Sequence, residues 1–303
     1  MVQNVAPLIR ELDAEDFYLL SGLEHGMRFS EWVNREKLPK LANLTEEEVS
    51  YRLDRCHDRE LIERRTMQYE GFQLRFEGYD VLALHTFAER DTVEEVGAPL
   101  GVGKESDVLE VRGEDVYALK FHREGMTNFR EVHREREYTA DHDHVSWLYT
   151  ARKAAEREYE VLQALHESVA VPEPIDQNRH AIVMERLVGN ELAETKLDSE
   201  NAPSFLDQIL TEVARAYERG YVHADLSEYN VFVTPSGIRI FDWPQAVPVE
   251  HPNAVEFLDR DVENIISYFH RKYPSAINDS YDKDRIAGLI RKNSTDELFN
   301  FST

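Results

Sequence analysis

A single cysteine, Cys56, stands in 303 residues, which excludes an intrachain disulfide and suits a reducing compartment. No apolar run reaches the roughly 20 residues that a membrane-spanning helix needs. No signal-peptide pattern opens the chain and no internal repeat is visible. The expectation is a cytoplasmic protein with no membrane partner. Positive charge is also scarce, since 35 Lys and Arg face 59 Asp and Glu for a net charge of −24. The deficit is uniform, with 12 basic and 19 acidic residues up to Asp91 and 23 and 40 beyond it. Nucleic-acid binders usually run the other way. A uniform acidic excess with few lysines fits a salt-adapted cytoplasm, where a short Debye length screens self-repulsion. Acidity then reports habitat, and RNA contact would depend on a local arginine patch.

The length suits two compact units. In the first 91 residues, Pro7 to Leu20 and Ser30 to Leu38 have helix-like apolar spacing. Thr45-Glu-Glu-Glu has the capping-box form that opens a third helix, running to about His57. Leu61 to Thr66 and Gly71 to Phe76 alternate like two strands around Met67-Gln-Tyr-Glu, and Tyr79 to Arg90 returns to helix. Three helices, a β-ribbon and a closing helix describe a winged helix over residues 1–91. Arg52, Arg55, Arg59, Arg64, Arg65 and Arg75 are its candidate nucleic-acid surface, although Glu46, Glu47, Glu48, Asp54, Asp58, Glu60 and Glu63 lie among them. A protein-docking or structural role therefore stands beside an RNA-binding one.

The chemistry concentrates downstream. Val222 to Asn230 reads VHADLSEYN, followed by Asp242 in IFDWPQ. A histidine, an aspartate two on, an asparagine five beyond and a second aspartate after a β-hairpin form the catalytic-loop and metal-loop pattern of protein kinases. Phosphoryl transfer needs a carboxylate to orient the acceptor, here Asp225, and hard oxygen ligands for Mg²⁺ (or Mn²⁺), here Asn230 and Asp242. Upstream, Glu94 to Lys120 alternates around a glycine turn and ends in Tyr117-Ala-Leu-Lys120, the strand lysine that neutralises ATP phosphates. Gly101, Val102, Gly103, Lys104, Glu105 and Ser106 would cover those phosphates. The third glycine of G-x-G-x-x-G is missing, with Ser106 in its place, so side chains would supplement the backbone. Ser146 to His166 has helical spacing and offers Glu158 as the favoured Lys120 partner, with Glu156 left open. Ala181 to Gly189 reads as a strand entering a linker, with Met184 behind the adenine pocket and Glu185 to Leu187 meeting the adenine edge.

Together LGVGKESD, YALKFHR, VMERLVG, VHADLSEYN and IFDWPQ resemble the RIO family of atypical kinases and ATPases, over nearly the whole chain. GVGKESD and D-W-P-Q are similar to its Rio2 branch, whose hallmark is an N-terminal winged helix; HADLSEYN is closer to the Rio1 form. The resemblance implies an α+β architecture: the winged helix, then a reduced two-lobed protein-kinase-like domain over residues 92–303. Its N-lobe would span 92–188, with a hinge at 184–188, and its C-lobe 189–303. It also implies an Mg-ATP enzyme acting in maturation of the small ribosomal subunit, contacting rRNA through the winged helix and working as a monomer. From Phe121 to Val145 the sequence is charged and nearly lacks aliphatic residues, and reads as a flexible loop over 122–145. His133, His142 and His144 there match no metal spacing, and Thr127, Thr139 and Ser146 are candidate phosphoacceptors.

Absences shape the mechanism too. The arginine of H-R-D is Ala224, no A-P-E follows Asp242, and only 61 residues remain, forming helices at Asp259 to Tyr273 and Asp282 to Lys292. Control by an activation loop and extended peptide binding are not expected. One site allows two mechanisms: a Ser/Thr kinase, or an ATPase switch with an acyl-phosphate on Asp242 and autophosphorylation as a side activity, the latter preferred. The rival classes are a small-molecule phosphotransferase of kinase-like fold and a winged-helix regulator with a kinase-like sensor.

Overall fold

The computed structural model describes residues 5–66, 68–103, 105–123 and 147–293. The candidate phosphoacceptors Thr127, Thr139 and Ser146, the three loop histidines and Lys104 lie outside the described residues. Two compact units emerge, one of residues 1–156 with 175–184 and one of 157–174 with 185–303. The chain passes between them three times, after Glu156, Pro174 and Met184.

The first unit opens with α1 (Val5–Glu11) and α2 (Ala14–Gly26). The apolar spacing over Pro7 to Leu20 thus belongs to two helices. Asp13 restarts the chain by capping α2 in a reciprocal box with Asp16. The helix expected over Ser30 to Leu38 is also replaced, by the short strand β1 (Val33–Asn34), a 3₁₀ turn and α3 (Leu38–Ala42). Val33 pairs across the sheet with Phe72, which draws this segment into the wing. α4 (Glu46–Asp58) carries the Thr45/Glu48 capping box; β2 (Ile62–Thr66), β3 (Glu70–Leu74) and α5 (Phe76–Glu89) follow as the sequence indicates. The order β1-β3-β2 completes a winged helix.

β4 (Glu95–Val102), β5 (Ser106–Arg112) and β6 (Val116–His122) form an antiparallel meander. After α6 (Trp147–Leu165), β7 (Pro174–Asn178) and β8 (Ala181–Glu185) complete the sheet in the order β4-β5-β6-β8-β7. Ordered chain reaches beyond the expected start of the loop: Phe121 and His122 are fully buried in β6, and Arg123 is buried after it. One apolar core runs from Leu12 and Leu20 of the winged helix through Tyr79 and Phe87 of α5 to Leu119 and Val183 of the sheet.

Inside this core sits a charged cluster. The Arg123 guanidinium donates to both Asp80 carboxylate oxygens at 2.7 and 2.8 Å and, through Nε, to Asp107 at 2.9 Å. His180 Nε2 lies 2.7 Å from Asp80, and its ring stacks on Tyr79. Burial pushes the His180 imidazole down to about 4, and the Asp80 contact only partly offsets this. Between about pH 4 and its ordinary value of about 6.5, His180 is then neutral when folded and gains a proton on unfolding. Stability is full above the ordinary value and falls as pH drops towards 4. The Asp80 carboxyl, held below its ordinary value despite its burial by Arg123 and His180, adds a loss at still lower pH. Urea unfolding should show lower stability at pH 5 than at pH 7, with His180→Gln flattening the difference. An unchanged slope in the variant would refute the assignment.

The second unit holds β9 (Asn190–Glu191), α7 (Ala202–Glu218), β10 (Tyr221–Val222), β11 (Val231–Thr234), β12 (Gly237–Ile240), β13 (Val247–Pro248), α8 (Ala254–Lys272) and α9 (Lys283–Arg291). α8 begins five residues before the expected Asp259. Its core is built from Leu206, Ile209, Ile240, Trp243, Val262 and Phe269. β12-β11-β9 form one small sheet and β10-β13 another. Gly189 has φ +155°, and a Cβ there would lie 2.1 Å from the Val233 carbonyl, so only glycine lets the chain leaving the linker pass this strand. Among the described residues no helix is long and apolar enough to cross a membrane.

Candidate active site

The glycine turn and the strand lysine belong to the first unit. Two register shifts in β4 bring Gly101 opposite Val108, and Val108 lies opposite Lys120. Directly opposed residues of antiparallel strands project to one face. Gly101, Val108 and Lys120 therefore form a row across three strands, with Lys120 buried. Gly103 N–H donates to the Ser106 carbonyl at 2.8 Å and closes the turn. A Cβ on Gly103 would press that carbonyl at 3.3 Å, whereas one on Gly101 would meet nothing within 4 Å. Packing explains the first glycine and leaves the second to be explained by what approaches from outside. Glu105 is exposed and Ser106 half-buried. Val102 ends β4. The Glu105 carbonyl accepts from Arg123 N–H at 2.7 Å, which ties the turn to the end of the lysine strand.

Of the glutamates on α6, only Glu158 is buried. Glu156 is engaged on its own helix by Arg152 and Lys153, at 2.7 and 2.6 Å. Met184 is buried at the end of β8. The Glu185 N–H is taken by the Glu173 carbonyl at 2.8 Å, which removes it from the groups that segment can offer to a base.

The catalytic-loop residues belong to the second unit. β10 delivers His223, Ala224 and Asp225, and the backbone on both sides of Asp225 is clamped from α8. The Asp261 carboxylate accepts from Ala224 N–H at 2.7 Å and Leu226 N–H at 2.9 Å. Arg260 donates to the Ala224 carbonyl, and Asn264 to that of Leu226 at 3.0 Å. Ala224 takes a left-handed φ of +67°, a strained conformation for a residue with a Cβ. The Asp225 side chain is exposed, while its carbonyl accepts from Asn230 Nδ2 at 3.0 Å.

The hairpin β11–β12 then returns the chain. Val231 pairs with Ile240, and Phe241 N–H donates to the Asn230 carbonyl at 3.0 Å, so Asp242 follows immediately beside Asn230. Asp242 is also left-handed, at φ +69°. It is braced on both flanks: the Phe241 carbonyl lies 3.1 Å from His223 Nε2, and Trp243 N–H donates to Glu158 Oε1 at 3.2 Å.

Sequence reasoning missed Asp261, Arg260 and Asn264, which look like solvated charges of an amphipathic helix. Asp261 is 1% exposed, and burial raises its carboxyl above the ordinary range, although His223 and two backbone donors oppose this. Asp261→Ala would strand two buried N–H groups at about 1–3 kcal/mol each. Differential scanning calorimetry should show a clearly lowered Tm, and Asp261→Asn, which keeps one acceptor, should recover part of it. A Tm equal to wild type in the alanine variant would contradict the clamp.

The candidate arginine surface of the winged helix is largely consumed within the protein. Arg52 and Arg55 pair with Asp13 and the buried Asp16, Arg59 with Glu11, Arg64 with Glu70, and Arg75 with Glu77.

A glycine hairpin with an in-row strand lysine, an H-x-D-x₄-N loop clamped from a helix and a bent aspartate after a hairpin define a protein-kinase-like phosphotransferase fold. The RIO domain model matches residues 107–282, and the Rio2 N-terminal model matches residues 9–90. The chain is 41% identical to the RIO-type serine/threonine-protein kinase Rio2 of Methanocaldococcus jannaschii, over 88% of this chain and 100% of that one. It is 34% identical to the serine/threonine-protein kinase rio2 of Schizosaccharomyces pombe, over 100% of this chain and 89% of that one. A crystal structure of the Rio2 kinase from Chaetomium thermophilum in an ADP/Mg²⁺-phosphoaspartate complex matches 98% of this chain and 94% of that one, with 31% identity and a TM-score of 0.77. The chain belongs to the RIO family of kinases, in its Rio2 branch. It is an enzyme of the serine/threonine kinase class, a winged helix joined to a RIO kinase domain.

Proposed function

We propose that this chain is an ATP-hydrolysing switch in the maturation of the small ribosomal subunit, turning over through an acyl-phosphate on Asp242. The observation that carries the reading is the bent, doubly braced backbone of Asp242 beside Asn230. Strain of that kind at a carboxylate suits a group held ready for reaction. The Chaetomium Rio2 complex contains a phosphoaspartate together with ADP and Mg²⁺, which supports carrying the same chemistry here.

Lys120 and the Gly101–Ser106 turn would bind the phosphates, with Met184 and the Glu185-to-Leu187 backbone around the adenine. Asn230 and Asp242 offer only oxygen, the donor set that hard Mg²⁺ prefers when phosphate oxygens complete its shell. Bound there, Mg²⁺ would neutralise charge on the β- and γ-phosphates. An Asp242 carboxylate oxygen attacks the γ-phosphorus of ATP, the bond to the β–γ bridging oxygen breaks, and ADP leaves with its electron pair. Asp225 then orients a water that attacks the same phosphorus, releasing inorganic phosphate and restoring the carboxylate. A serine or threonine hydroxyl in place of that water would give the kinase outcome, with autophosphorylation as its minor form. The ribosomal target and the cytoplasmic setting are carried over from the family resemblance.

Gly101→Ala supplies a selective test of nucleotide approach. The new Cβ meets only open space, so the unfolding free energy should stay within about 0.5 kcal/mol of wild type. KM for ATP should rise about tenfold, corresponding to roughly 1.4 kcal/mol. A destabilised variant with unchanged KM would overturn this role. The physiological reading is tested by phosphate release in high salt with and without purified small ribosomal subunits. Stimulated release without stable labelling of other proteins is expected. Stable phosphoserine or phosphothreonine on a subunit protein would overturn the switch, and turnover stimulated instead by an amino sugar would favour a small-molecule phosphotransferase.

A further inference from the structure

The winged helix carries a recess that the phosphotransferase site does not use. It is a cavity of about 310 Å³ beside the wing, lined by Phe29, Trp32, Asn34, Lys37, Leu41 and Tyr69 among others. Three aromatic rings thus bound a space at the small end of the ~300–1,000 Å³ range of ligand pockets. Phe29 is 79% exposed and Tyr69 44%, far more than rings serving a core. The Trp32 and Tyr69 walls are held in place before anything binds. The Trp32 carbonyl accepts from Ser30 Oγ at 2.8 Å and Tyr69 OH at 3.2 Å. Arg65 lies over the Trp32 ring at 5.6 Å. Gly71 gives the wing room to close, since a Cβ there would come within 3.0 Å of Trp32 and 3.2 Å of the Tyr69 ring.

The segment that forms one side of the recess carries an excess of positive charge. Residues 28–40 hold four cations, Arg28, Arg35, Lys37 and Lys40, against Glu31 and Glu36, in a chain of net charge −24; of the four, Arg35 is paired with Glu70 at 3.6 Å. Arg28, Lys37, Lys40 and Arg65 are exposed. The helix that would ordinarily enter a duplex groove is its opposite. The exposed residues of α4 include Glu46, Glu47, Glu48, Asp54 and Asp58, and its Arg52 and Arg55 are spent on Asp13 and Asp16. Five carboxylates laid along a phosphate backbone repel it. A small aromatic recess rimmed by cations suits a different ligand: a flat base, free of its partner, with its phosphates outside.

We propose that the Phe29–Trp32–Tyr69 recess binds an unpaired base of a single-stranded polynucleotide, with Lys37 and Arg65 holding the flanking phosphates. This rests on the ribosomal setting of the proposed function, giving a site to the rRNA contact that the family resemblance implies, and it is independent of the phosphoryl-transfer reading. Stacking between base and ring releases few counterions, so such a site works in the high salt that an acidic chain favours.

The test is fluorescence anisotropy of a labelled eight-nucleotide single strand titrated with the full chain, against a duplex of the same sequence. Wild type should prefer the single strand. Phe29→Ala, which removes an exposed ring, should weaken binding about fivefold or more, and the loss should persist as salt rises. Lys37→Glu should also weaken binding, by an amount that shrinks with salt. Arg112→Glu, an equal charge change at a side chain 62% exposed on the sheet, should change little. Basal ATP turnover should match wild type in all three. A deoxy strand of the same sequence separates the sources: tighter binding of the ribose form assigns RNA, and equal binding assigns the base alone, both supporting the site. Equal affinity for single strand and duplex, or a Phe29→Ala variant that binds the strand like wild type, would overturn the proposal. If that variant nevertheless loses association with small ribosomal subunits, the occupant is a protein. Because turnover is read separately, failure of the recess leaves the ATPase reading intact.

Discussion

Asp225→Ala should lower ATP turnover by about three orders of magnitude, near the middle of the ~10²–10⁴-fold range of a positioned general base, while leaving Tm close to wild type. The two halves of this expectation rest on different atoms. Asp225 contributes its carbonyl to the fold, through Asn230 Nδ2, and its neighbours' backbone groups are clamped by Asp261, Arg260 and Asn264. All of these bonds survive truncation of a side chain that is itself exposed. The carboxylate has no structural task, so its loss should appear in kcat and not in the melting curve. Turnover within tenfold of wild type would show that another group orients the acceptor.

Arg123→Ala should have the largest effect on stability, about 3–5 kcal/mol, because it leaves a buried carboxylate without its main partner. The guanidinium forks onto both oxygens of Asp80 and reaches Asp107 through Nε. Asp80 is 1% exposed, so water cannot replace the lost cation. For a unit of this size, the loss corresponds to a Tm lower by about 10 °C. Arg123→Lys should recover little, since an ammonium cannot fork. Asp80→Asn combined with Arg123→Met removes both charges and should be more stable than Arg123→Ala alone. A single alanine variant melting within a degree or two of wild type would contradict this account. The cluster also explains why the winged helix and the five-stranded sheet share a core: Asp80 comes from α5, Asp107 from the strand after the glycine turn and Arg123 from the end of the lysine strand.

What the sequence revealed depended on whether a signal was local. The Thr45/Glu48 box, the alternation around the glycine turn and the β-hairpin before Asp242 are short-range patterns, and the corresponding elements form where those patterns lie. Ser30 to Leu38 shows the opposite case. Its helical spacing is overridden by a strand pairing with Phe72, some forty residues away, that no window of sequence contains. The same holds for charge. Arg52 and Arg55 look like a nucleic-acid surface until Asp13 and Asp16 are brought against them, and Arg123 reads as the start of a charged loop until Asp80 meets it. Around the site, His223, Asp225, Asn230 and Asp242 were visible through their spacing. Asp261 was not, because a carboxylate that accepts two backbone N–H groups from a loop more than thirty residues away leaves no mark in its own helix. The aromatic recess escaped notice for a related reason, since Phe29 and Trp32 join Tyr69 only when the wing folds back.

The central claim is that the phosphoryl group passes through Asp242, and its most direct test is the fate of γ-labelled phosphate. Wild type, Asp242→Asn and Asp225→Ala would be incubated with γ-labelled Mg-ATP in high salt and quenched, and protein-bound label treated with hydroxylamine. The account predicts a hydroxylamine-labile adduct on wild type, none on Asp242→Asn, and an adduct that accumulates on Asp225→Ala because its hydrolysis is slowed. Label that resists hydroxylamine and persists in Asp242→Asn would contradict it.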